Sequence, residues 1–339
     1  MATEICQLTI RTLQMNIISD KEILEVRTSQ VFRFSVYFID TSCIISMAVT
    51  VLAIFQLHSK QVFNPSTTRL LITDLVFINI HNLSYIFLQN WSLFRSFFYQ
   101  TANDIMFKSE ECWPHHVTNE FTKVVTVFNQ FALIINRISV TIDSKRFSHA
   151  NYGFLLAILS LIASTVFTAQ QHFLGPIHGM RTTSCFRESD VVLDLKTEHI
   201  IPYLAICLTS IVCSLLLIIY VKKTQKTKTY DIESEYTKKE AVVSSISVAI
   251  LGIIQLVLFC FYDTFLTIFA KLTAENPNVH DTNIIGWFYT SPLNAIISPT
   301  AVFLYISWIK KNRQMHIRKM TKVNKSENGC HFQQLSVMW

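Results

Sequence analysis

The sequence predicts an all-α membrane protein, a bundle of seven transmembrane helices, and three observations lead there. Only 15% of the 339 residues are charged and half are hydrophobic, whereas soluble chains carry about 25% charged residues. Six stretches free of Asp, Glu, Lys and Arg are long enough to cross a bilayer: residues 41–59, 75–94, 148–180, 199–221, 241–262 and 282–309. None alternates with the period of two that a barrel strand requires. In hydrocarbon each segment must therefore close its own backbone hydrogen bonds as a helix. The mean hydropathy of +0.35 agrees with lipid as the solvent.

The elements follow in order. Residues 1–33 open with MATEICQLTIRTLQMN, without the basic start, apolar centre and small-residue cleavage site of a signal peptide. They are expected to lie outside, with the first spanning helix, 34–57, acting as the targeting signal. The second helix is expected at 70–91. The third, 117–140, is the difficult one, because VTNEFTKVVTVFNQFALIINRISVTI contains Glu120, Lys123 and Arg137. Its centre from Val124 to Ile135 holds no ionisable side chain, and the charges sit near the ends, where long side chains reach interfacial water. Helices at 152–173, 199–220, 242–269 and 284–308 complete the seven, and residues 310–339 form a basic cytoplasmic tail.

Charge bias sets the orientation. With the amino terminus outside, seventeen lysines and arginines fall in cytoplasmic segments and ten in outer ones, in the sense of the positive-inside rule. A six-helix rival with both termini inside also satisfies that bias. The apolar core of 124–135 and the positions of two cysteines favour seven.

Of the eight cysteines, Cys43, Cys207, Cys213 and Cys260 fall inside apolar spans, where a thiol is an ordinary small buried hydrophobe. Cys112 and Cys185 fall in polar loops on the oxidising side and form the expected disulfide pair. Two unpaired loop thiols are the competing reading, since connectivity does not follow from sequence. Cys6 and Cys330 are left over.

Several polar residues are candidates for function. Arg137 lies 25 positions after Cys112, about 37 Å along a helix, so the two mark opposite faces of the membrane. It sits where rhodopsin-like receptors carry an acid-arginine-aromatic triplet, but Asn136 replaces the acid and removes the ion pair that restrains the arginine. A simple snorkelling anchor is the alternative. In SPLNAIISPTAVFLY, Pro299 removes an amide donor and should kink the seventh helix; Val302 stands where such receptors have a tyrosine, so a kink without a switch role competes. Asp74, His81 and Tyr85, spaced by seven and four, share one face of the second helix. They are either a functional polar spine or glue between helices. Glu120, Lys123, Asp263, Trp287 and Tyr289 are placed by depth alone as the lining of an outward-facing pocket, and Asp40 is a further intramembrane acid.

Other chemistry is excluded. HExxH, CxxC, GxSxG and P-loop patterns do not occur, and the adjacent His115 and His116 point apart on a helix, so no catalytic residue, metal or cofactor is expected. No nucleic-acid partner is expected either. The lysine-flanked loop KKTQKTKTYDIESEYTKKE faces the cytoplasm, to meet a protein partner or anionic lipid.

The blocks FNPSTTRLLITDLVFINIHN, Cys112 through Asn136-Arg137 to Lys145-Arg146-Phe147, and LNAIISP resemble the nematode serpentine receptors of class alpha over nearly all seven helices. That resemblance implies a rhodopsin-like G-protein-coupled receptor architecture and a chemosensory receptor in the plasma membrane, in the cilia of sensory neurons. It also implies a small-molecule ligand and a heterotrimeric G protein as partners. Arg137 carries over as the helix-three arginine and Cys112 with Cys185 as the outer bridge, with Asn136 departing from the acidic residue found there. The rival function is a transporter or channel for a small solute. Such folds pair broken helices in two repeated halves, and only Pro299 offers a break here.

Overall fold

The computed structural model describes residues 20–60, 63–172, 179, 181–182, 185, 205–206, 208–220, 223, 246, 249–250, 253–254, 257, 296–297, 299–308, 311 and 314–315. A short helix, α1 (Asp20–Thr28), leads into α2 (Gln30–Lys60). Ser29 separates them and serves both: its hydroxyl donates to the Val26 carbonyl at 2.7 Å and accepts from the Phe32 amide at 3.2 Å. The second bond is that of a helix N-cap satisfying an orphan amide. The long helices that follow are α3 (Pro65–Phe98), α5 (Ser109–Ile142) and α7 (Ala150–Gln171), with the short α4 (Ala102–Ile105) and α6 (Ser144–Phe147) in the turns between them.

Local sequence explains where α3 begins. Asn64 is extended, its side chain accepts from the Thr67 amide at 2.9 Å, and Pro65 occupies the first helical position. Proline loses nothing there because that amide has no helical partner. At 34 residues each, α3 and α5 run about 51 Å, well beyond a hydrocarbon core of about 30 Å, so both project past the lipid.

Among the described residues, α2, α3, α5 and α7 are long and apolar enough to cross a membrane. They divide their surfaces differently. In α5, 61% of the most apolar window is buried, against 28% in α2, which makes α5 the central rod and α2 a peripheral one. Phe34, Phe38, Ile45, Leu52 and Phe55 of α2 are exposed; in a membrane these side chains meet acyl chains rather than water. The main apolar core joins Leu57, Leu70, Leu75, Leu133, Leu156 and Ile306, drawing α2, α3, α5 and α7 together with the helical residues 299–308.

Two small strands, β1 (Phe107–Lys108) and β2 (Arg181–Thr182), pair antiparallel. At the other end of the bundle α7 is pressed onto the start of α3. The Ser66 amide donates to the Ser148 carbonyl at 3.3 Å, and a Cβ on Gly153 would collide with the Ser66 backbone, 2.7 Å from its Cα. Only glycine permits this approach. Gly153→Val should force α3 and α7 apart and cost about 1–3 kcal/mol, as overpacking generally does. The check is the thermal midpoint of the purified protein in detergent; an unaltered midpoint would mean that the two helices part without cost.

Candidate functional site

The end of the bundle that holds Cys112, the outer end in the expected orientation, is built around the central rod. Cys112, in the first turn of α5, forms a disulfide with Cys185, with Cα atoms 5.1 Å apart. Both cysteines are buried beside Leu88, Trp91 and Phe107. The bridge and the β1–β2 pairing hold the segment after α7 against the start of α5. Arg181 adds a third tie, donating to the Asn103 carbonyl at 2.8 Å and side chain at 2.7 Å.

Arg95 is the hub of this region. Its Nη1 donates to the Met106 carbonyl at 2.8 Å and its Nη2 to Glu111 at 2.8 Å. The guanidinium lies between the rings of Trp91, at 4.8 Å, and Phe107, at 4.3 Å. Glu111 in turn accepts from the Lys108 amide at 3.3 Å, so the same carboxylate starts α5 and complements the positive end of its dipole. Sequence reasoning counts Arg95 only as an outer cation. The nearby Glu110 and Glu111 are the one signal that a partner is at hand.

Between the two ends runs a polar seam, mostly where α3 faces α5. Asp74, His81 and Tyr85 are all buried. The Asp74 carboxyl faces the side chains of Thr126 and Asn129, and Asn129 donates to the Leu70 carbonyl at 2.9 Å. His81 Nδ1 lies 2.9 Å from the Thr122 hydroxyl, with Glu120 and Lys123 near the imidazole. Tyr85 stacks on His81 with ring centroids 6.3 Å apart, and its hydroxyl accepts from Gln89 at 3.1 Å. On the other side of α3, Asn82 donates to Ser46 at 2.9 Å and Asn90 to Asp40 at 3.0 Å, tying in α2.

Two of the five pocket residues expected from sequence, Glu120 and Lys123, are thus half-buried on α5 beside His81. The other three, Asp263, Trp287 and Tyr289, lie outside the described residues.

The inner end centres on Asn136 and Arg137, both buried. Asn136 Oδ1 accepts from the Ser66 hydroxyl, and its Nδ2 donates to Thr67 Oγ1 at 3.0 Å. The Thr67 hydroxyl in turn donates to Oδ1 of Asn64, the cap of α3. The side chain that replaces the expected acid therefore clamps α5 to the first turn of α3 rather than pairing with its neighbour. Ser139 and Tyr152, 2.8 Å apart through their hydroxyls, tie α5 to α7 just beyond. Pro299 is buried within the helical residues 299–308.

Nearly the whole chain is similar to known proteins. Residues 14–339 match the family described as serpentine type 7TM GPCR chemoreceptor Sra. Serpentine receptor class alpha-32 of Caenorhabditis elegans is 34% identical over 326 residues, covering 95% of this chain and 96% of the relative. Serpentine receptor class alpha-10 of Caenorhabditis briggsae is 27% identical over 336 residues, covering 96% and 98%, and its Caenorhabditis elegans counterpart is 27% identical over 325, covering 93% and 94%.

The Asn136 clamp is open to direct test. Asn136→Leu leaves the Ser66 and Thr67 hydroxyls without this partner and should lower stability by about 1–3 kcal/mol. Asn136→Asp keeps the acceptor for Ser66 and should lose less. Equal thermal midpoints for the wild type and both variants would remove the clamp from the account.

Proposed function

Because this chain belongs to the serpentine type 7TM chemoreceptor family Sra, we propose that it is a G-protein-coupled chemosensory receptor whose outward-facing pocket takes a small chemical cue. The family is one of multi-pass membrane chemoreceptors and not of enzymes. In this reading the cue binds among the outer halves of the helices, near Glu120, Lys123 and His81, with Asp263, Trp287 and Tyr289 as further lining. Binding favours one of two helix arrangements, and a heterotrimeric G protein engages the inner ends. A ligand shifts such an equilibrium only by its difference in affinity for the two states.

The observation that carries the proposal is the continuity of α5. One rod runs from the disulfide at Cys112, past the seam at Thr122 and Asn129, to the buried Arg137. A change in how the seam packs at the outer half is thereby mechanically joined to the inner end. Arg137 and the kink expected at Pro299 are the switch elements of the proposal, with the Asn136 clamp holding α5 against α3 in the resting arrangement. The site of action in this reading is the plasma membrane of sensory neurons, in their cilia.

The test uses cultured cells expressing the full chain with a reporter for G-protein activation, challenged with panels of volatile and water-soluble chemicals. A response should disappear in Arg137→Ala at equal surface abundance, and a tag ahead of residue 20 should be labelled on intact cells. A response that persists in cells lacking the G protein would instead identify a channel or transporter.

A further inference from the structure

Three arginines, Arg27, Arg33 and Arg95, gather at the outer ends of α1, α2 and α3, and two of them are well satisfied. Arg95 donates to Glu111 and to two carbonyls. Arg33 donates to the Ser96 hydroxyl at 3.2 Å and carbonyl at 3.0 Å, and lies over the Phe97 ring. Arg27 differs. It is only 5% exposed, yet among the described residues no carboxylate pairs with it. Its Nη1 reaches the Ser92 hydroxyl at 3.5 Å, which is the outer limit of a hydrogen bond. Its Nε makes no hydrogen bond at all.

A guanidinium is never discharged under ordinary conditions. Burial lowers the pKa of Arg27 to about 10, so it remains a cation at neutral pH. The Phe32 ring, 4.7 Å from the guanidinium carbon, and the carbonyl end of α1 offset part of the cost of burying that charge. Neither supplies the acceptor that a guanidinium edge is shaped for, two oxygens of one anion bound side by side. Ser92 stands beside it with a hydroxyl able to donate.

We propose that Arg27, with the Ser92 hydroxyl beside it, forms a binding site for an oxyanion on the outer face of the receptor. The position fits such a group. Ser92 lies six residues before the outer end of α3, about 9 Å along the helix, at the level where a helix of this length leaves the hydrocarbon. The anion would join α1 to α3 and so fasten the amino-terminal helix to the bundle, alongside the contact of Ile23 and Val26 with Ala102 and Met106. The proposal is separate from cue binding at the seam, and either could fail without the other. Its oxyanion has two sources, a free anion such as inorganic phosphate or the phosphate of an outer-leaflet phospholipid.

The experiment measures the thermal midpoint of the full-length receptor in dodecyl maltoside. In one arm inorganic phosphate replaces chloride at constant ionic strength; in the other, the delipidated receptor is resupplied with phosphatidylcholine. We expect a rise of about 2 °C or more in at least one arm. In Arg27→Gln that rise should vanish, while the midpoint without anion should match or exceed that of the wild type because an uncompensated cation is gone. Ser92→Ala, which retains the charge, should diminish the rise, and this keeps the test alive if Arg27→Gln does not fold. A rise with phosphate assigns a soluble anion, and a rise with phosphatidylcholine alone assigns a lipid. No rise in either arm, or the same rise in the variants, overturns the site.

Discussion

Hydrocarbon supplies no hydrogen-bond partners, and most of this structure can be understood as a response to that shortage. Backbone groups are closed within helices, which is why α2, α3, α5 and α7 are long and unbroken by loops. The polar side chains that remain inside must find one another across helix boundaries. They do so mainly where α3 faces α5, through His81 with Thr122, Asn129 with the Leu70 carbonyl, and Asn136 with Ser66 and Thr67. Contacts of this kind are individually modest, typically about 0.6 kcal/mol in a membrane protein. Their value is directional, because each fixes a register between two helices that apolar packing alone would leave free to slide.

The same shortage shapes the outer end differently, because water is near. Here Arg95 is held by one carboxylate, two carbonyls and two aromatic faces, and the disulfide bolts the segment after α7 to the same place. Charge, ring and covalent bond converge on residues that close the turn between α3 and α5. On this side the polar seam ends at residues held by several partners at once.

Much of this was legible in the sequence, and for identifiable reasons. The helical membrane fold follows from charge-free stretches, which depend on composition and not on which residues touch. The third span is legible despite Glu120, Lys123 and Arg137 because its centre is uninterrupted, and Cys112 and Cys185 are legible because the two thiols share an oxidising face. The family is visible in the block from Phe63 to Asn82. What sequence could not supply was partnership over distance. That Asn136 takes the place of an acid is plain from its neighbours; that it reaches Ser66 and Thr67, some seventy positions earlier, depends on how closely α3 and α5 pack. The Arg95 hub depends on a loop folding back onto the helix it leaves. Likewise, residues 1–33 read only as an outer segment, yet they contain α1 and the buried Arg27, whose burial no local pattern announces.

The glycine contact between α7 and α3 bears on how the receptor would move. Gly153 sits directly on the Ser66 backbone, and Ser66 is also held by Asn136 from α5. Three helices thus meet at one residue, and sliding α7 along α3 would drive backbone into backbone. Ser66 thereby fixes register twice, through its backbone with α7 and through its hydroxyl with α5. In the proposed switch, α5 can part from α3 by giving up side-chain hydrogen bonds, while α3 and α7 keep their backbone contact.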